Sequence, residues 1–196
     1  MNPGALFIVI LGGFAILALL YAVLTYNRFV TLRAHMRDSW AGIQVELKRR
    51  YDLIPNLVQT VRGYAAHERE ALETVTRLRN QAAESHGTPA QQSGDELALT
   101  AGLRQLFAVA ENYPDLKADR LFRELQAELV NTEDRLAATR RFYNGNVREL
   151  NELAQQFPSN LVASLTGISQ AEYFELDDDR ERAVPRLDWR PKDPTP

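Results

Sequence analysis

Apolar and polar positions are arranged in two different ways along this chain, and the change falls near residue 27. From Gly4 to Tyr26, GALFIVILGGFAILALLYAVLTY, no side chain is charged and no face is polar. At 1.5 Å per residue, about 20 apolar residues cross a hydrocarbon core of about 30 Å. The stretch therefore predicts a transmembrane helix over residues 4–26 in contact with the lipid bilayer. Past it, apolar residues recur at steps of three and four or their sum: Phe29, Leu32, Met36, Trp40, Ile43, Leu47, Ile54, Val58, Val61, Ala65, Leu72 and Val75. Such a stripe marks one amphipathic helix with a buried face.

Pro55 interrupts that stripe without shifting its phase. Proline lacks the N–H that would reach the carbonyl of Tyr51, and its ring crowds that carbonyl, at a cost of about 3 kcal/mol. A broken chain would have no reason to keep Leu47 and Ile54 in register with Val58 and Val61. Pro55 is therefore read as a kink in a continuing helix, with the Tyr51 carbonyl needing another partner. The helix is expected to end near Glu84, where SHGTPAQQSGDE is rich in turn residues. Ser93 and Glu96 form a candidate capping box opening a second helix, whose stripe is Leu99, Leu103, Leu106, Ala110 and Tyr113 and which Pro114 closes.

A third, long helix follows: Phe122, Leu125, Leu129, Thr132, Leu136, Thr139, Tyr143, Asn146, Leu150, Leu153 and Phe157 keep the same steps until Pro158. Its predecessor turn, NYPDLK, is short, which predicts an antiparallel return. Ser159 can cap a short helix over 160–166, with Gly167 at its C′ position. No period-two pattern stands out. The expected fold is all-α: residues 1–3 as a short outer terminus, a span over 4–26, an up-and-down helical bundle over 27–174, and an extended or disordered tail over 175–196, with Tyr173, Phe174 and Trp189 able to dock on a groove.

Composition narrows the function. The net charge of −3 and the interleaving of Lys/Arg with Asp/Glu argue against nucleic acid as a partner. Absence of cysteine excludes disulfides, thiolate metal sites and a cysteine nucleophile. Arg28, Arg33 and Arg37 follow the span while no basic side chain precedes it, so the N-terminus is expected outside and the bundle in the cytoplasm, at a bacterial inner membrane. Ala18 and Ala22 form a small-xxx-small pair that could join two spans in a homo-oligomer, although ordinary lipid-facing alanines explain them as well.

Candidate chemistry is sparse. His67-Glu68-Arg69-Glu70-Ala71 begins like the zinc-protease motif HExxH but carries Ala where the second ligand belongs. No Glu stands three residues before any His, and no glycine-rich phosphate loop or GxSxG elbow is present. Neither a catalytic centre nor a metal or cofactor site is expected. Lys48, Arg49 and Arg50 lie about 33 Å of helix past the span, beyond a Debye length of about 8 Å, and are read as a solvated face or as partners of acidic residues. The best polar candidate is Arg141, Asn144, Arg148 and Asn151, on one face of the third helix. They could bind a carboxylate, phosphate or peptide end. The plainer reading is that they bond to Asp52, Asn56 or the carbonyl freed by Pro55 and fix helix register.

An apolar N-terminal span, then RRYDLIPNLV, ENYPDLKAD, RRFYNGNVRELN and FPSNLVASLTG, in that order, resemble the LemA family of bacterial membrane proteins. The resemblance reaches to about Phe174 and implies an N-terminal span and a helical bundle, while leaving activity open. The resulting expectation is a non-enzymatic interaction or scaffold module with an unidentified protein partner. Its alternative is a ligand-binding or enzyme-modulating subunit using the Arg141–Asn151 face near Pro55.

Overall fold

The computed structural model describes residues 3–85 and 87–176, which are helical apart from turns, one short extended segment and no strands. The helices are α1 (Pro3–Tyr64), α2 (Arg69–Glu84), α3 (Pro89–Ala110), α4 (Pro114–Ala118), α5 (Arg120–Gln155) and α6 (Ser159–Leu165). The first two residues of the expected outer terminus and most of the expected tail, including Trp189, lie outside the described residues.

The 62 residues of α1 form one continuous helix through Pro55. Leu6 to Leu24 are exposed, and burial begins at Thr25 and Phe29. The apolar segment and the first bundle helix are thus a single rod of about 93 Å. Pro55 removes a hydrogen bond without ending the helix, and the Tyr51 carbonyl accepts instead from Arg79 Nε of α2 at 3.1 Å.

The expectation that this helix reaches Glu84 is corrected by a reversal at Ala65–Glu68. Ala65 is buried at the corner, its N–H bonding Val61 O at 2.8 Å, and Glu68 N–H bonds Ala65 O at 3.1 Å. Turning back lets Leu72 and Val75 pack into the core with Val61 and Leu106, where a straight continuation would have left them in water. The corner fits between Ala65 and Leu72, an interval equal to two helical turns, so the stripe keeps its spacing while the chain changes direction.

The second correction concerns the start of α3. Thr88 and Gln91 make the capping box, Thr88 Oγ1 accepting from Gln91 N–H at 3.4 Å and Gln91 Oε1 from Thr88 N–H at 3.1 Å. Pro89, with its preset φ and missing N–H, suits the first helical turn and starts the helix there. Ser93 and Glu96 become interior residues and are buried. Pro114 opens α4 rather than directly closing α3, which has already ended at Ala110.

Asp119 caps α5, accepting from Phe122 N–H at 2.9 Å, and that bond holds its carboxyl below the usual range. At the other end Pro158 occupies the cap position of α6. Ser159 falls inside the first turn, its Oγ donating to Leu153 O at 2.6 Å and Gln156 O at 2.9 Å. Gly167 follows α6 at φ 66°, the left-handed conformation expected of a C′ glycine.

Helices α1 and α5 run antiparallel over the length of the bundle. A Cβ at Gly42 would lie 3.1 Å from Thr139 Cγ2, so the two approach closely there. The α2–α3 hairpin covers only the half of this pair that lies away from the apolar segment. On the remaining half, the segment 168–176 crosses the groove between α1 and α5 as an extended strap.

Candidate functional site

The polar line on α5 holds that strap. Asn144 Nδ2 donates to Phe174 O at 3.0 Å while Asn144 Oδ1 accepts from Phe174 N–H at 3.0 Å. Two turns on, Asn151 Nδ2 donates to Ala171 O at 3.0 Å and Oδ1 accepts from Ala171 N–H at 2.8 Å. A primary amide offers a donor and an acceptor side by side, matching the paired groups of one extended residue. An α-helix, whose own backbone groups are used internally, thereby holds an extended chain at two points.

Between these points Tyr143 donates its hydroxyl to Glu172 O at 3.0 Å, and burial pushes its pKa up to about 12. Phe174 is fully buried, edge-on to Trp40 at 5.4 Å, and Trp40 lies 5.3 Å from the Tyr143 ring. At its far end the strap meets α3, where Ser93 Oγ donates to Glu175 O.

The other members of the sequence-derived face lie elsewhere. Arg141 and Arg148 are exposed, and among the described residues neither reaches Asp52 or Asn56. Asp52 pairs with Lys48 at 2.7 Å on the surface of α1, and Asn56 is exposed. Pro55 lines a shallow groove of about 450 Å³ toward α2, beside Thr76, Arg79 and Asn80. Thus Asn144 and Asn151 act together on the strap, while Asp52, Pro55 and Asn56 belong to the α1–α2 side.

Beside the top of the strap is a buried polar cluster in which Arg50 takes the second of its two expected roles, pairing with acidic residues, and not that of a solvated face. Its guanidinium is buried, with Nη1 3.3 Å from Glu96 Oε2, Nη2 donating to Thr100 Oγ1 at 2.7 Å, and Nε 3.1 Å from Glu133 Oε1. Tyr51 donates its hydroxyl to Glu96 Oε1, and Gln92 Nε2 reaches Tyr51 Oη, Ala82 O and Glu96 Oε1, each at 3.1 Å. The cluster ties α1 to α2, α3 and α5.

Burial raises the Glu96 pKa despite the opposing bonds from Tyr51 and Arg50, and burial beside Glu96 raises that of Tyr51. One sequence signal could have found Arg50: with Tyr51 it fills the seven-residue interval between Leu47 and Ile54 on the buried stripe. Glu96 was obscured by its resemblance to a cap.

An open groove of about 360 Å³ between α1 and α2 adjoins this cluster, with Trp40, Gln44, Lys48 and Arg79 in its walls. Lys48 is matched there by Asp52, and Arg79 by Tyr51 O and Asn80 Oδ1. Among the described residues no three His, Asp or Glu side chains are grouped to hold a metal ion. The arrangement joins helices and secures an extended segment.

Comparison with known proteins agrees with this architecture. The chain is 27% identical over 178 residues to Magnetosome protein MamQ 2 of Paramagnetospirillum magneticum, covering 78% of this chain and 65% of that one. It is 25% identical to Magnetosome protein MamQ of Magnetospirillum gryphiswaldense over 177 residues, with the same coverage, so it spans just under two thirds of these relatives. Protein LemA of Metamycoplasma hominis is 25% identical over 152 residues, 76% of this chain and 68% of the relative. With an apolar helix running directly into the bundle, the chain is a membrane-associated helical protein. The model of the LemA family matches residues 39–189, most of the bundle and beyond, and the chain belongs to that family.

Proposed function

We propose that this chain is a non-enzymatic interaction module anchored in a bacterial inner membrane, with the bundle organising protein partners on the cytoplasmic side. The observation that carries this reading is the continuity of α1, which passes from an exposed apolar segment into the bundle core without a linker. A rigid connection fixes the bundle's height and orientation over the membrane, as a scaffold requires. Inward-directed pairing in the Arg50–Glu96 cluster further supports a packing role for its charges. Relatives named as magnetosome proteins are in keeping with a part in an assembly here too.

The orientation rests on Arg28, Arg33 and Arg37 at the inner end of the span. A reporter active only outside the cytoplasm, fused after Pro196, should be silent. Pull-downs from detergent-solubilised membranes should recover defined partners with the full chain and fewer with a chain lacking residues 1–27. A purified chain that turned over a substrate, or changed the turnover of a partner enzyme, would replace this reading with the alternative of an enzyme or enzyme-modulating subunit. That alternative requires a cleft between Pro55 and the Arg141–Asn151 face, whereas this face holds the strap.

A further inference from the structure

The α5–α6 corner is apolar on its outer side. Phe157 is 79% exposed, Leu161 55% and Leu165 88%, and the two leucines lie one helical turn apart on the same face of α6. The opposite face, Ser159, Val162 and Ala163, is buried, so α6 turns apolar side chains outward as well as inward. From Leu153 to Ala171 the sequence carries no charged residue, although a quarter of the whole chain is charged. An exposed apolar patch of this kind marks a contact with protein or membrane.

Its position decides between them. Asn146 of α5 bonds His35 O at 3.3 Å and Arg28 pairs with Glu149 at 2.9 Å, so rising numbers on α5 descend toward the span. Ala163 of α6 and Ile168 then pack on Phe29, just past Tyr26 at the end of the apolar segment. The corner is therefore level with the point where α1 leaves the hydrocarbon, where aromatic and aliphatic side chains meet the headgroup boundary. Arg28 and Arg33, both exposed on α1, follow Tyr26 within about 3 and 10 Å of helix rise and can meet lipid phosphates.

We propose that the α5–α6 corner is a second membrane contact, inserting Phe157, Leu161 and Leu165 into the bilayer interface beside the span. It rests on the membrane-anchored reading and adds that the bundle lies on the lipid through a fixed edge. With two contacts the rod and bundle together are held against tilting away from the lipid, and the strap, which leaves α6 through Gly167, starts at the membrane surface.

The chain has no cysteine, so single substitutions can be labelled cleanly. Leu165→Cys, Phe157→Cys, Leu20→Cys in the span and Leu121→Cys at the far end of α5 are made in the full chain. Each carries an environment-sensitive fluorophore and is reconstituted in phosphatidylcholine–phosphatidylglycerol vesicles with doxyl-labelled lipids. The Leu165 and Phe157 labels should shift to the blue and be quenched by the lipid spin labels, as at Leu20, while the Leu121 label stays water-exposed and unquenched. Corner labels that behave like Leu121 while Leu20 is quenched overturn the second contact and leave the anchor intact. Labels shielded from water but unquenched by lipid also overturn it, in favour of a protein contact. An unquenched Leu20 label refutes the anchor and the corner contact together.

Discussion

Arg79 of α2 donates from Nε to the Tyr51 carbonyl of α1 at 3.1 Å, the acceptor that Pro55 deprives of its helical donor. The hairpin partner thus supplies the hydrogen bond that the helix cannot make for itself. The irregularity in α1 becomes a point of attachment for α2.

The strap is expected to detach when its amide holders are removed. Asn144→Ala and Asn151→Ala each delete two hydrogen bonds and leave strap backbone groups unpaired, costing about 1–3 kcal/mol locally. Phe174→Ala empties a fully buried site and should cost about 3–5 kcal/mol. Amide hydrogen exchange over 168–176 should accelerate in all three variants and remain unchanged in Arg141→Ala, whose side chain is exposed. Unchanged protection in the asparagine variants would show that Phe174 alone seats the strap.

The buried pair gives a dependence on pH whose direction follows from Glu96. Its folded pKa is raised, mainly by burial, so the contribution is full below the unfolded carboxyl's value of about 4.3 and is lost as pH rises through the folded value. Arg50→Met removes the opposing charge, which should cost about 3–5 kcal/mol at neutral pH and less in mild acid, where Glu96 can protonate. Glu96→Gln should also be destabilising, but without that relief, because a glutamine at this position has no carboxylate left to protonate. Denaturant unfolding of both variants across this range checks the asymmetry; equal pH slopes would refute it.

Legibility in the sequence followed physical lines. The stripe from Phe29 to Val61 and the long α5 were readable because they bury one face at helical spacing. The reversal at Ala65–Glu68 was not, since periodicity records burial and is blind to direction when a corner spans two turns. Thr88 and Ser93 both precede a Glu or Gln by three, and only Pro89 distinguishes the helix start. Asn144 and Asn151 were visible as a polar face, but their partner is an extended segment distant in sequence, which no local pattern announces. For Arg50 an acidic partner was one of two expected roles, but its burial and the identity of Glu96 and Glu133 were not legible, because both partners lie far away in sequence.

A chain beginning at Asn27 should be soluble and strongly helical, since the core from Phe29 to Phe174 retains its partners. Circular dichroism should show a cooperative melt. A broad, non-cooperative one would mean that the apolar segment supports the fold as well as anchoring it.

The last prediction tests whether Arg79 and Pro55 act on one acceptor. Pro55→Ala returns an N–H to the Tyr51 carbonyl and relieves a ring clash, a local gain of up to about 3 kcal/mol by helix propensity. The gain in the bundle should be smaller, because α1 already continues through the site and Arg79 already bonds the carbonyl. Arg79→Leu in the parent removes a charge-assisted bond and should cost about 1.5 kcal/mol. In the Pro55→Ala background the same substitution leaves the carbonyl with its own helical donor, so its cost should fall by about half or more, a coupling a double-mutant cycle resolves. Thermal or denaturant unfolding of the chain beginning at Asn27 supplies the four stabilities. Additive costs would show that Arg79 contributes through its contacts along α2, including Asn80, rather than by completing the hydrogen bonding of the kinked helix.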